Sequence, residues 1–137
     1  MRGRKPEAQQ AEGGASKVPL PPSWISKEAK TEWRRVVPWL VSRKVLSDAD
    51  WGLVESYCLA VGQIRQCQRT LAKEGSFVQS NRSAPRPHPA YRVMYSAMAE
   101  ARRHAAELGI GPVRRIRADD DGNGNGEGDG WDSDLLA

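Results

Sequence analysis

Between Ser47 and Glu74 the apolar residues of this chain return at intervals of three and four, a spacing that collects them on one face only if the segment is helical. Val54, Tyr57, Val61, Ile64 and Leu71 form a seam with one polar break at Gln68, and Leu53, Cys58, Ala60 and Cys67 flank it. The apolar face is therefore wider than a two-stranded coiled coil uses and needs neighbours on two sides. Ser47, Asp48 and Asp50 offer a cap and first-turn carboxylates, and Lys73 followed by Gly75 closes the other end. Such a rod is about 40 Å long, and other elements have to pack along it.

The flanking segments supply them. Ser26 is placed to cap a first helix carrying Glu28 and the apolar set Ala29, Trp33, Val36, Val37 and Leu40, with Trp24 and Ile25 positioned to staple back onto it. Pro38 falls inside that pattern and removes one backbone bond, which predicts a kink or break. Trp33, Trp39 and Trp51 sit on apolar faces and read as core anchors, not base-stacking platforms. Arg43–Leu46 is a short connector, so the first helix turns sharply into the long one, an arrangement like a helix-turn-helix whose second helix is too long and apolar for simple recognition. After Gly75, Phe77 and Val78 suggest a brief extended piece, and Ser80–His88 reads as a long polar loop. Pro89 opens a third helix, where its missing amide costs nothing; Tyr91, Met94, Met98, Ala101, Ala105 and Leu108 form its seam, Ala97 joins Ala101 and Ala105 in a small-residue edge, and Gly109 stops it. The elements add up to an all-α fold: a long antiparallel helical hairpin preceded by a shorter kinked helix, with disordered tails at both ends.

Composition divides the chain in three. Residues 1–23 form a basic, proline-rich arm and strap, residues 24–117 the helical domain, and residues 118–137 a glycine-rich acidic tail. Only the middle part can build a core, and a domain of that size is marginal alone, so shared burial between copies is expected. Seven of the seventeen acids lie in the tail and none of the twenty-one bases, which leaves residues 1–117 with a net charge of +11. That balance suits a polyanion. No apolar run is long enough to span a membrane, and the first residues lack a hydrophobic signal core, so the reading is a soluble cytosolic chain. Cys58 and Cys67 are nine apart on one helix and read as reduced core thiols.

Candidate binding residues follow from charge. Arg2, Arg4 and Lys5, around Gly3 and before Pro6, either lie extended in an A·T-rich minor groove or form a solvated terminus. Arg82 and Arg86, among prolines, either grip phosphate or are simply solvated. Arg102 and Arg103 project from the third helix, and Arg114, Arg115 and Arg117 abut the acidic tail, which can screen them. Trp131, Leu135 and Leu136 close the tail either as a docking peptide that folds on a partner or as a plain terminus. Nothing points to catalysis. The two histidines, His88 and His104, have no neighbouring nucleophile in sequence, the cysteines and histidines lack zinc spacing, and the tail glycines alternate with acids instead of forming a phosphate loop. No enzyme activity, cofactor or metal is expected.

The order of parts resembles one known family. Gly3-Arg4-Lys5-Pro6, a strap ending Pro22-Ser23-Trp24, Glu32-Trp33-Arg34-Arg35 running into Val37-Pro38-Trp39-Leu40, Leu46-Ser47-Asp48-Ala49-Asp50, Tyr57-Cys58, Glu74-Gly75, His88-Pro89-Ala90 and Ala106-Glu107-Leu108-Gly109-Ile110 before Pro112 together resemble the small subunit of the tailed-phage terminase. The likeness covers residues 1–117. Residues 7–17 are more neutral than the family's usual basic segment, and the acidic tail has no counterpart. The resemblance implies a non-enzymatic helical protein that assembles into a homo-oligomeric ring in the host cytoplasm, recognises the packaging site on double-stranded phage DNA, and delivers it to the large subunit, which holds the ATPase and nuclease. Two other classes share these features: a small dimeric DNA-binding regulator, and a helical adaptor that binds no nucleic acid.

Overall fold

The computed structural model describes residues 17–112. In chain order it comprises helix α1 (Lys27–Ser42), helix α2 (Trp51–Glu74), strands β1 (Phe77–Ser80) and β2 (Ser83–Pro87), and helix α3 (Ala90–Leu108).

Helix α1 starts where Ser26 accepts a hydrogen bond from the Ala29 amide through its side chain at 3.2 Å. Its apolar set is buried throughout, and Ile25 staples beneath the cap, whereas Trp24 points to solvent. The expected break at Pro38 does not occur: α1 is one helix through it. Pro38 and Arg34, whose carbonyl Pro38 leaves without an amide, both lie among the exposed residues of α1, where solvent can take up the freed acceptor. Ahead of the helix, the proline strap lies over the surface. The Trp33 indole Nε1 donates to the Pro19 carbonyl at 3.0 Å, and Lys30 Nζ to the Ser23 carbonyl at 3.0 Å.

Helix α2 is entered through a 3-10 turn, Asp48–Asp50, instead of beginning at Ser47. The Ser47 amide and hydroxyl both donate to Asp50 Oδ2 at 2.8 Å, which holds that turn closed. The two sides of α2 are occupied by different partners. Its first two-thirds pack on α1 around Val54, Tyr57 and Cys58, where Leu108 at the end of α3 also arrives. Cys67 and Leu71, near its end, close with Met94 near the start of α3, with Ile64, Ala90, Tyr91 and Met98 at the margin. The start of α3 thus meets the end of α2, and its end meets the beginning. Trp33 is buried and its ring lies 5.7 Å from that of Trp51, which is half-buried, as is Trp39. Gly109, at φ 72°, closes α3 in the left-handed conformation.

Two features of the α1–α2 contact were not legible as such in the sequence. A Cβ at Gly62 would stand 2.8 Å from the Ala29 amide nitrogen, so the helices cross where a hydrogen replaces a side chain. Beside the crossing, α1 buries two acids. Glu32 is 1% exposed. It is bracketed by Arg35, Arg65 and Tyr57, with Arg65 Nη2 at 2.9 Å from Oε2 and the Tyr57 hydroxyl donating to Oε1 at 3.0 Å. Glu28 accepts from Arg69 and from Gln66. Burial alone would raise the Glu32 carboxyl, but the hydrogen bonds from Arg35 and Tyr57 and the charges of Arg35 and Arg65 outweigh it and hold the group below its ordinary range. Burial, and then the Glu32 charge, push Tyr57 up to about 12.

The extended piece expected at Phe77 and Val78 is strand β1, but Ser80–His88, read as a polar loop, is not all loop: its Ser83–Pro87 is a strand, so the all-α expectation gives way to helices with an antiparallel ribbon. Phe77 pairs with Pro87, Val78 with Arg86 and Ser80 with Ser83. Two steps along β1 match three along β2, so β2 carries a bulge beside Pro85. Both strands are edges, and an edge tolerates prolines because only one side of each strand needs its amides.

Two stability predictions follow from the crossing. Gly62→Ala, although alanine favours helix by about 1 kcal/mol, is expected to destabilise the protein by about 1–3 kcal/mol in urea denaturation because α1 must move away. Unchanged stability would mean that the crossing relaxes freely. Glu32→Gln is expected to cost about 2 kcal/mol at pH about 7, a figure discounted for the exposure of Arg35. A carboxyl held below its unfolded value of 4.5 contributes stability that is complete above about pH 5 and is lost as the pH falls through the lowered folded value. The gap between variant and wild type should therefore narrow by pH about 3; a constant gap would assign the effect to packing and not charge.

Candidate nucleic-acid interface

The bases of the body are not equally available. Arg35, Arg65 and Arg69 lie along the α1–α2 seam and are held by Glu32 and Glu28. Arg43 lies over the Trp39 ring and Lys30 bonds the Ser23 carbonyl, both half-buried, while a third group stands exposed on the ribbon and α3. Of the residues singled out from the sequence, Arg82 and Arg86 stand on the ribbon and Arg102 and Arg103 on the outer side of α3, all exposed. Arg103 is paired with Glu100 at 3.2 Å. Among the described residues no carboxylate holds Arg82, Arg86 or Arg102. The two pairs are not brought together: ten residues of helix from Arg92 to Arg102 rise about 15 Å. Arg92, unremarked in the sequence, is the exposed base of α3 nearest the ribbon in the chain.

The ribbon is anchored at its base. Gly75, at φ 88°, turns the chain out of α2 while its amide still bonds the Leu71 carbonyl at 2.9 Å. Across the root, the His88 amide donates to the Ser76 carbonyl at 2.9 Å and the Tyr91 hydroxyl to Ser76 Oγ at 2.9 Å. His88 is bound on both nitrogens. Nδ1 lies 3.0 Å from the Ala90 amide and so accepts, which places the proton on Nε2, 2.8 Å from Glu74 Oε2. His88 is thus a fastener between α2 and α3, and its partner Glu74 could not have been paired with it from linear spacing. Beyond the root, every residue from Phe77 to Pro87 is exposed.

A shallow groove of about 580 Å³ runs between α2 and α3, lined by Leu59, Ala60, Gln63, Val93, Ser96 and His104 among others. His104 Nδ1 is buried there without a hydrogen-bond partner. Of the groove's hydroxyls, Ser56 Oγ donates to the Gly52 carbonyl at 2.8 Å. Cys58, inside the core, has its thiol pushed up to about 12 by burial and then by the Glu32 charge, which leaves it inert as a nucleophile at neutral pH. Among the described residues no cluster of His, Cys, Asp or Glu is suited to a metal, and no helix is long and apolar enough to cross a membrane. Arg2, Arg4, Lys5, Arg114, Arg115 and Arg117, and the tail residues Trp131, Leu135 and Leu136, lie outside the described residues.

No curated protein and no solved structure matches the chain. A family model does: that of the phage terminase small subunit, over residues 29–124, well over half the length and including all three helices from Ala29 onward. With its helical body, outward bases and matched span together, this chain belongs to the family of phage terminase small subunits.

Proposed function

We propose that the protein is a non-catalytic component of viral DNA packaging. It assembles into a homo-oligomeric ring in the host cytoplasm, recognises the packaging site on double-stranded phage DNA, and recruits and regulates the large terminase subunit, an ATPase and nuclease. The observation that carries this reading is the family match over residues 29–124. The sorting of charge supports it: the acids of α1 engage the inner arginines, while Arg82, Arg86 and Arg102 remain available to phosphates. Repetition around a ring multiplies such contacts, so that weak individual ones add through avidity and weaken together as salt rises.

In this reading residues 1–23 are a basic arm, residues 24–117 the assembly and DNA-packaging domain, and residues 118–137 a separate acidic tether. Arg2, Arg4 and Lys5, together with Arg82, Arg86, Arg102, Arg103, Arg114, Arg115 and Arg117, contact DNA. Trp131, Leu135 and Leu136 dock the large subunit. Exposed Val93, at 41%, and Tyr95, at 61%, are apolar surface on α3 that a neighbouring copy can cover.

Light scattering with and without duplex DNA tests the assembly. A mass of many subunits is expected, a dimer would favour a small regulator, and a lone subunit indifferent to duplex at low salt would overturn the proposal. Removal of residues 118–137 is expected to abolish stimulation of the large subunit's ATPase while DNA affinity holds or rises, since seven acids leave with the tail. A fall in DNA affinity would refute the screening role of the tail.

A further inference from the structure

The ribbon is the part of the molecule that a helical packing domain does not require. Its residues contribute nothing to either hydrophobic cluster. From Gly75 to Ala99 the chain contains no acid, while Arg82, Arg86 and Arg92 lie within that span. The tip runs Gln79-Ser80-Asn81-Arg82-Ser83, five consecutive exposed polar residues. Arginine can pair with guanine, and asparagine or glutamine with adenine, along base edges.

Dimensions agree with this chemistry. The major groove of B-DNA is about 12 Å wide and about 8.5 Å deep and admits a two-stranded ribbon. Five residues of strand extend about 16 Å, so the tip can reach the groove floor while the root stays outside. The root is tied to both α2 and α3 through His88, Glu74, Ser76 and Tyr91, which limits the ordering cost of docking. The alternative of a second copy adding a strand is disfavoured along β2, where Pro85 and Pro87 carry no amide to donate.

We infer that the β1–β2 ribbon enters the DNA major groove, with Gln79, Asn81 and Arg82 reading base edges and Arg86 holding a flanking phosphate. This rests on the DNA-recognition reading above and names the element that makes the recognition sequence-dependent.

The test uses the full chain and a random-sequence duplex pool, with sequencing of the bound fraction, salt titration on an enriched duplex, and light scattering. Wild type is expected to enrich a motif. Asn81→Ala with Arg82→Ala should erase or alter that motif and lower affinity for the enriched duplex by about 10- to 100-fold. Arg86→Ala should weaken all duplexes alike and reduce the salt slope by about 1. All three positions are exposed, so melting temperature and mass are expected to match wild type; Gln79→Ala provides an independent tip variant.

A wild-type chain that binds duplex but enriches no sequence overturns base reading by the ribbon. So do tip variants that keep both motif and affinity, and so do variants that change the mass while DNA binding stays intact, because the ribbon then lies between copies. A wild-type chain that binds no duplex at low salt instead removes the DNA reading itself.

Discussion

A carboxylate taken out of water has to be met by donors, and Glu32 is met from three directions. Arg35 reaches it along α1 itself, whereas Arg65 and the Tyr57 hydroxyl come from α2. The cost of burying the charge is offset only when α1 lies at the one height and rotation that brings all three together. Non-directional apolar packing of Ala29, Trp33, Val37 and Leu40 against Val54 and Cys58 supplies the bulk of the attraction. It does not by itself select a register. The hydrogen-bonded acids do, and Gly62 allows the approach they need.

The same acids decide which bases remain outside. Glu28 and Glu32 engage Arg69, Arg65 and Arg35 at the α1–α2 seam, so a chain rich in arginine does not present all of it to a ligand. What is left is arranged by the geometry of the helical pair. The ribbon continues past the α2–α3 end on a short root, and Arg102 and Arg103 lie farther along the outer side of α3. The molecule therefore has a three-helix body and a basic projection tied to it through His88.

Periodicity determined the three helices and most of their buried residues, although the Ser47 cap proved to close a 3-10 turn ahead of α2. The Ser26 cap, the Pro89 start, the Gly109 stop and the two-sided face of α2 all follow from local spacing and backbone chemistry, and the order of motifs from Gly3 to Pro112 pointed to the phage terminase small subunit. Local rules failed where the outcome depended on surroundings. Pro38 does not break α1, where it and Arg34, whose carbonyl it frees, are both exposed, and Trp24 is left exposed although its neighbour Ile25 is buried.

Only the tertiary structure decided the rest. On α2, Glu28 and Glu32 find partners 25 to 41 residues distant that no local pattern links to them, and Gly62 has meaning only once α1 lies across it. The ribbon was hidden because prolines at 85 and 87 argue against strand, an argument that holds for a central strand and lapses for an edge. Hydrophobic period is carried by neighbours three or four residues apart, so the sequence alone specifies elements. Charge pairing, close backbone approach and edge position are relations between elements, and they come into being when those elements pack.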